Sequence, residues 1–175
     1  ASEFDEYIAL LVKTNCIDNG KKIWWDLRLH PVYSTLEFRI CDVPMRLDET
    51  IALAAIMQAV VAKQHRLMQQ NLTFRTYKRA LINKNKWRAA RYGVEGNFLD
   101  FGKEAEVPFQ SLLDELISFV DDVVDDLNCR DEVNYLHEIV KMGSGADRQL
   151  KIYHQTNDLK KVVDYIVEET NVGLD

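Results

Sequence analysis

Apolar residues recur at helical spacing from the start of the chain. Phe4, Ile8, Leu11 and Val12 form one stripe that runs to about Thr14, with Ser2 as its cap and Asp5 three residues on. Asp18-Asn19-Gly20 reads as a turn. The period then changes to two, because in a strand alternate side chains share a face. Over 23–29, Ile23, Trp25, Leu27 and Leu29 alternate with Trp24, Asp26 and Arg28, and His30 follows on the polar side. Over 35–42, Leu36, Phe38 and Ile40 alternate with Thr35, Glu37, Arg39 and Cys41. A Pro-containing loop joins the two runs, so they read as an antiparallel pair with one apolar face and one charged face.

Helical spacing returns with Asp48 as an N-cap and a long helix to about Gln70, apolar nearly all round between Ile51 and Ala62. That stretch should be buried on most sides, in a core or a subunit contact. A second helix is expected from Tyr77 to Tyr92, stopped by Gly93. Residues 96–108 read as a small hairpin or extended loop. A third helix follows Pro108, with Leu113, Leu116, Ile117, Val120, Val124 and Leu127 inward. Its other face carries Asp121, Asp122, Asp125 and Asp126, which reads as a solvated face. After Gly143 come helical residues to about Tyr153, then a final amphipathic helix over 158–170. The fold class is α+β: antiparallel strands at about 23–29 and 35–42 packed against several helices. Two strands are too few to stand alone, so further strands should come from sequence absent here.

Composition places few limits on this picture. At 175 residues, 47% hydrophobic and 29% charged, the chain is one domain or a large piece of one. A net charge of −6 argues against a nucleic-acid or anionic-membrane binder, and the longest apolar run is too short to span a bilayer. Three cysteines without metal-ligand spacing, together with an opening that lacks a signal-peptide pattern, point to reduced thiols in the cytoplasm. The chain does not begin with Met, which fits a processed or truncated product.

The charged strand face is where chemistry is expected. Its charges sit beside tryptophans, and its cations are arginines, which grip carboxylate or phosphate in a fixed fork. A carboxylate beside them suits a hard cation. This face is therefore read as the floor of a phosphate and metal site. Asp26 reads as an orienting partner of Arg28, while Cys41 lacks a nearby histidine to activate it. Asp147 and Arg148 read as a helix cap and an ion pair.

Four stretches are similar to a known family. Trp-Trp-Asp-Leu-Arg at 24–28 and Thr-Leu-Glu-Phe-Arg-Ile-Cys-Asp at 35–42 resemble the signature of the carboxylate–amine ligases, also called type 2 glutamate–cysteine ligases. Asn-Lys-Trp-Arg-Ala-Ala-Arg-Tyr-Gly at 85–93 resembles that family's arginine-rich helix, and Gly-Ser-Gly-Ala-Asp-Arg-Gln at 143–149 its glycine-bounded turn. The resemblance implies a glutamine-synthetase-like catalytic fold. It implies ATP and Mg²⁺ as cofactors, activation of a glutamate-like acid as an acyl phosphate, and amide formation with a cysteine-like amine, in glutathione biosynthesis. It also implies Glu37 as metal ligand and Arg39 and Arg28 as catalytic cations. Arg88 and Arg91, three apart on a helix, share a face that could reach an anion and are the cofactor-binding candidates. The family's glutamate-rich N-terminal strand has no match, so the chain resembles the C-terminal portion of such an enzyme. Alone it is expected to be inactive, and to form a homo-oligomer or associate with the missing N-terminal half. The competing expectation is a non-catalytic helical interaction or dimerisation module.

Overall fold

A computed structural model describes residues 2–174, apart from the side chain of Ser2, so the cap expected of Ser2 lies outside the described residues. The chain divides into two compact units, Ala1–Val43 and Pro44–Asp175.

In the first unit, α1 (Ser2–Lys13) carries Glu3 and Asp5 in its first turn and Lys13 in its last, matching the helix dipole. The Asn19 side chain accepts from the Lys21 amide and starts a 3₁₀ turn at Gly20–Lys22, after which Ile23 is buried. β1 (Leu27–Leu29) and β2 (Leu36–Phe38) pair antiparallel, with Arg28 opposite Glu37. Both strands are shorter than the alternation implies. The backbone before β1 bonds a side chain instead of a strand, because the carbonyls of Lys21 and Ile23 accept from Arg28. Beyond the strands the ladder continues through Arg39 N–H to the Asp26 carbonyl at 2.8 Å and His30 N–H to the Thr35 carbonyl at 3.0 Å. Burial also inverts the expected faces: Leu27, Leu29 and Leu36 each stay more than 40% exposed, whereas Arg28 is 6% exposed.

The second unit is mainly helical. It comprises α2 (Leu47–Gln69), α3 (Arg79–Tyr92), β3 (Asn97–Asp100), β4 (Ala105–Pro108), α4 (Phe109–Val124), α5 (Arg130–Met142), α6 (Gly145–Thr156) and α7 (Leu159–Asn171). Ala52, Ala55, Ile56 and Ala59 form one buried face of α2, and their small side chains let α4 and α5 approach closely. Val120, Val123 and Val124 of α4 and Val133 and Leu136 of α5 complete this core. The opposite side of α2 is open, with Ile51 and Val61 exposed, so within this chain the burial expected on most sides of that helix is confined to one face among the described residues. The N-cap of α2 is Arg46, two residues before the expected Asp48, and Arg46 Nη2 instead donates to Asp48 Oδ2 at 3.0 Å.

β3 and β4 form the expected hairpin, with Phe98 opposite Val107. α5 has no counterpart among the sequence expectations, although Val133, Leu136 and Val140 recur along it at helical spacing. The acidic face of α4 is paired: Asp122 with Lys63 and Arg66, Asp126 with Arg66, and Asp121 and Asp125 with Arg130.

Candidate functional site

The β1–β2 ribbon brings Arg28, Glu37 and Arg39 together. Strand pairing sets Arg28 directly across from Glu37. Arg28 Nε donates to Glu37 Oε2 at 2.5 Å, and its Nη1 donates to the carbonyls of Lys21 at 2.7 Å and Ile23 at 3.2 Å. Three acceptors thus fix a buried guanidinium, which in turn fixes a half-buried carboxylate. The Arg28 hydrogen bond holds the Glu37 carboxyl below its ordinary range, and the charges of Arg28, His30 and Arg39 add to the effect against a smaller opposing desolvation. Glu37 is therefore ionised at neutral pH. Arg39 is exposed just beyond β2. Glu37 pairs with Arg28, and the backbone carbonyl of Asp26, the residue expected to orient Arg28, accepts from Arg39 N–H.

The loop between the strands is built on His30. Its Nδ1 accepts from the amides of Val32 at 3.2 Å and Tyr33 at 2.9 Å, and its ring stacks on that of Tyr33 with centroids 4.6 Å apart. Sequence reasoning left this histidine as a lone side chain. Its spacing of two and three residues from the amides it binds was the available signal.

Arg88 and Arg91 lie in the second unit, and the chemistry of residues 85–93 is largely that of a clamp. Asn85 bonds both backbone groups of Leu99, donating to its carbonyl and accepting from its amide, each at 2.9 Å. Arg88 donates to the Asn97 carbonyl at 2.9 Å and to Glu106. These bonds fasten α3 to the β3–β4 hairpin and leave an open cleft of about 580 Å³ beside Lys84, Trp87, Arg88 and Tyr92. Among the described residues Arg88 Nε is buried without a hydrogen-bond partner. Arg91 is exposed, with its guanidinium 5.8 Å from the centre of the Tyr92 ring. Although three apart on one helix, the two arginines thus meet different surroundings.

The glycine-bounded turn at 143–149 is likewise structural. Ser144 caps α6, receiving the Asp147 amide, while Asp147 Oδ2 receives the Ser144 amide at 2.8 Å. Arg148, buried, donates to Glu49 of α2 and to Glu169 of α7, the latter at 3.0 Å.

Comparison with known proteins gives the chain's family. The family model described as glutamate-cysteine ligase family 2 matches residues 1–165. The chain belongs to this family. Curated relatives carry the name "Putative glutamate--cysteine ligase 2": one from Solibacter usitatus is 61% identical over 173 residues, and one from Chloroflexus aurantiacus is 56% identical over 174. A third, from Sorangium cellulosum, is 47% identical over 171 residues. The alignments cover 98–99% of this chain and 45–46% of the relatives, so the chain spans about half the length of the proteins it matches. All four stretches singled out in the sequence fall within the residues matched by the glutamate-cysteine ligase family 2 model.

Glu37 tests how far this family member's ribbon suits a divalent cation. An ionised, half-buried carboxylate is a fitting oxygen donor for Mg²⁺. It is one donor, however: no group of three or more His, Cys, Asp or Glu that could hold a metal ion occurs among the described residues. No helix among them is long and apolar enough to cross a membrane.

Proposed function

We propose that this chain is the C-terminal part of a single catalytic domain of a cytoplasmic, ATP- and Mg²⁺-dependent carboxylate–amine ligase, joining a glutamate-like acid to a cysteine-like amine. The observation that carries the reading is the Arg28–Glu37 pair, with Arg39 beside it, inside a chain that belongs to glutamate-cysteine ligase family 2.

The chemistry brings two anions together. A substrate carboxylate oxygen attacks the γ-phosphorus of ATP and ADP leaves; the amine nitrogen then attacks the acyl carbon, phosphate leaves and the nitrogen loses a proton. Positioning and charge neutralisation dominate such a transfer. Mg²⁺, when bound, supplies charge at the phosphate oxygens, and Glu37 would give it one ligand, the others coming from elsewhere in the full-length protein. Arg39 is exposed and free to offer its fork to a phosphoryl or carboxylate oxygen. Arg28 takes a different part from the catalytic one expected of it, since its Nε and Nη1 are engaged inside the unit. It is a positioning residue that keeps Glu37 charged and aimed. In the second unit, Arg91 is the exposed cation proposed for nucleotide contact, and Arg88 shapes the cleft beside it.

The test is a screen of the full-length protein for ADP release from Mg-ATP over pairs of amino acids. Release that requires both an acid and an amine supports the ligase. Its absence for every pair, together with an unfolding midpoint that does not rise in Mg-ATP, returns the chain to the class of interaction modules, because a ligand that binds the native state stabilises it.

A further inference from the structure

The last helix of the second unit presents an apolar face that stays open among the described residues. Two inward contacts fix the rotation of this helix. Val162 is buried, and Glu169, seven residues on, accepts from the buried Arg148 at 3.0 Å. Seven residues are close to two helical turns, so this pair defines the inner side of α7. Leu159, Val163 and Val167 follow one another at intervals of four along the outer side and are 71%, 57% and 55% exposed. Single exposed aliphatic side chains are ordinary, but a continuous row rimmed by charge marks a contact surface.

The rim indicates the partner. Lys160 and Asp164, also four apart, border the row on one side. Lys160 is exposed, and Asp164 is half-buried with Lys161 at 3.8 Å. A cation and an anion on one rim complement the same helix turned end for end. A two-fold axis through Val163 sets that residue against the partner's Val163, and Leu159 against the partner's Val167, since 159 and 167 lie equally far from 163. The same axis carries Lys160 to within two residues, about 3 Å along the helix, of the partner's Asp164. A surface that complements itself in this way closes as a dimer, whereas a partner of uniform charge would repel one rim group. We propose that the outer face of α7 packs antiparallel on α7 of a second copy, with Val163 at the centre and Lys160–Asp164 pairs at the rim. The proposal goes beyond the ligase reading and does not rest on it, since these residues belong neither to the ribbon nor to the cleft beside α3.

The experiment is sedimentation equilibrium of the full-length protein and its α7 variants at micromolar concentration. The unaltered protein should be a dimer and Val163→Asp a monomer. Lys160→Asp and Asp164→Lys each set like charges against each other across the rim, and each should weaken the dimer by at least about tenfold. An equimolar mixture of those two variants should regain the dimer, because every rim pair is again of opposite sign. Val163→Cys should form a disulfide-linked dimer under mild oxidation that leaves the unaltered protein unlinked, since axes about 8–10 Å apart bring the two central residues within disulfide reach. If Val163→Asp loses its far-UV helical signal, the mixture of charge variants decides alone. A monomeric unaltered protein, a mass that none of the substitutions changes, or a mixture no more associated than its components would overturn the proposal.

Discussion

Arg28 and Glu37 face each other across a two-stranded ribbon, and the arginine is the more deeply buried of the two. The guanidinium is anchored by two backbone carbonyls before it reaches the carboxylate, so it can hold Glu37 in one place. A consequence in pH follows. A carboxyl held below its ordinary value of 4.5 contributes stability that is fully present above that value and lost as pH falls through the lowered one. In urea titrations of the full-length protein, the stability gap between wild type and Glu37→Gln should therefore be constant near neutrality. It should narrow only below about pH 4.5. A gap that closes at neutral pH would contradict the pair.

The buried contact of Arg148 with Glu49 supports a second expectation. Removing one partner leaves a buried charge uncompensated, so Arg148→Met should cost about 3–5 kcal/mol by denaturant unfolding. Glu49→Met combined with Arg148→Met should recover part of that loss, because the buried Glu49 charge is gone while Glu169 keeps only Arg46, 3.9 Å away. Equal losses in the single and double variants would show that the contact is incidental.

Gly93 ends α3 with φ +58°, and a Cβ placed there would lie 3.2 Å from either carboxylate oxygen of Asp147. Gly93→Ala should destabilise the protein by more than about 1 kcal/mol, through strain and crowding together. Gly173, with φ +77° and nothing within 4 Å of a Cβ among the described residues, provides the control for strain alone, and Gly173→Ala should cost less.

The outer side of α2 and the apolar residues of the ribbon remain exposed in this chain. Apolar surface of this kind favours association. The chain by itself should run as a dimer or larger species by light scattering at micromolar concentration. A monomeric mass would contradict that expectation.

Much of this arrangement could be read from the residues. Period-two alternation placed Arg28 and Glu37 on one face, and helical stripes located α1, α2, α3, α4 and α7 to within a few residues. The ribbon's limits were less visible, because Arg28 draws the carbonyls of Lys21 and Ile23 away from strand pairing, a long-range demand that no local pattern records. Alternation also says which residues share a face but not which face is covered. Hence the exposure of Leu27, Leu29 and Leu36 came from the structure alone. The helix α5 was not among the expectations, although Val133, Leu136, Ile139 and Val140 recur along it at helical spacing and pack in the core. Within the candidate site, residue types named Glu37, Arg28 and Arg39. Only the hydrogen bonds separated the buried, engaged Arg28 from the exposed Arg39.

The most direct measurement is amine-dependent ADP release by the full-length protein and its Glu37→Gln and Arg39→Lys variants, with unfolding midpoints recorded alongside. Losing a group that stabilises charge in the transition state typically costs about 10²–10³ in turnover, so both variants should fall by at least a hundredfold. The Arg39→Lys midpoint should stay within experimental error, since that side chain is exposed. Unchanged turnover in both variants would contradict the assignment of this strand face to catalysis.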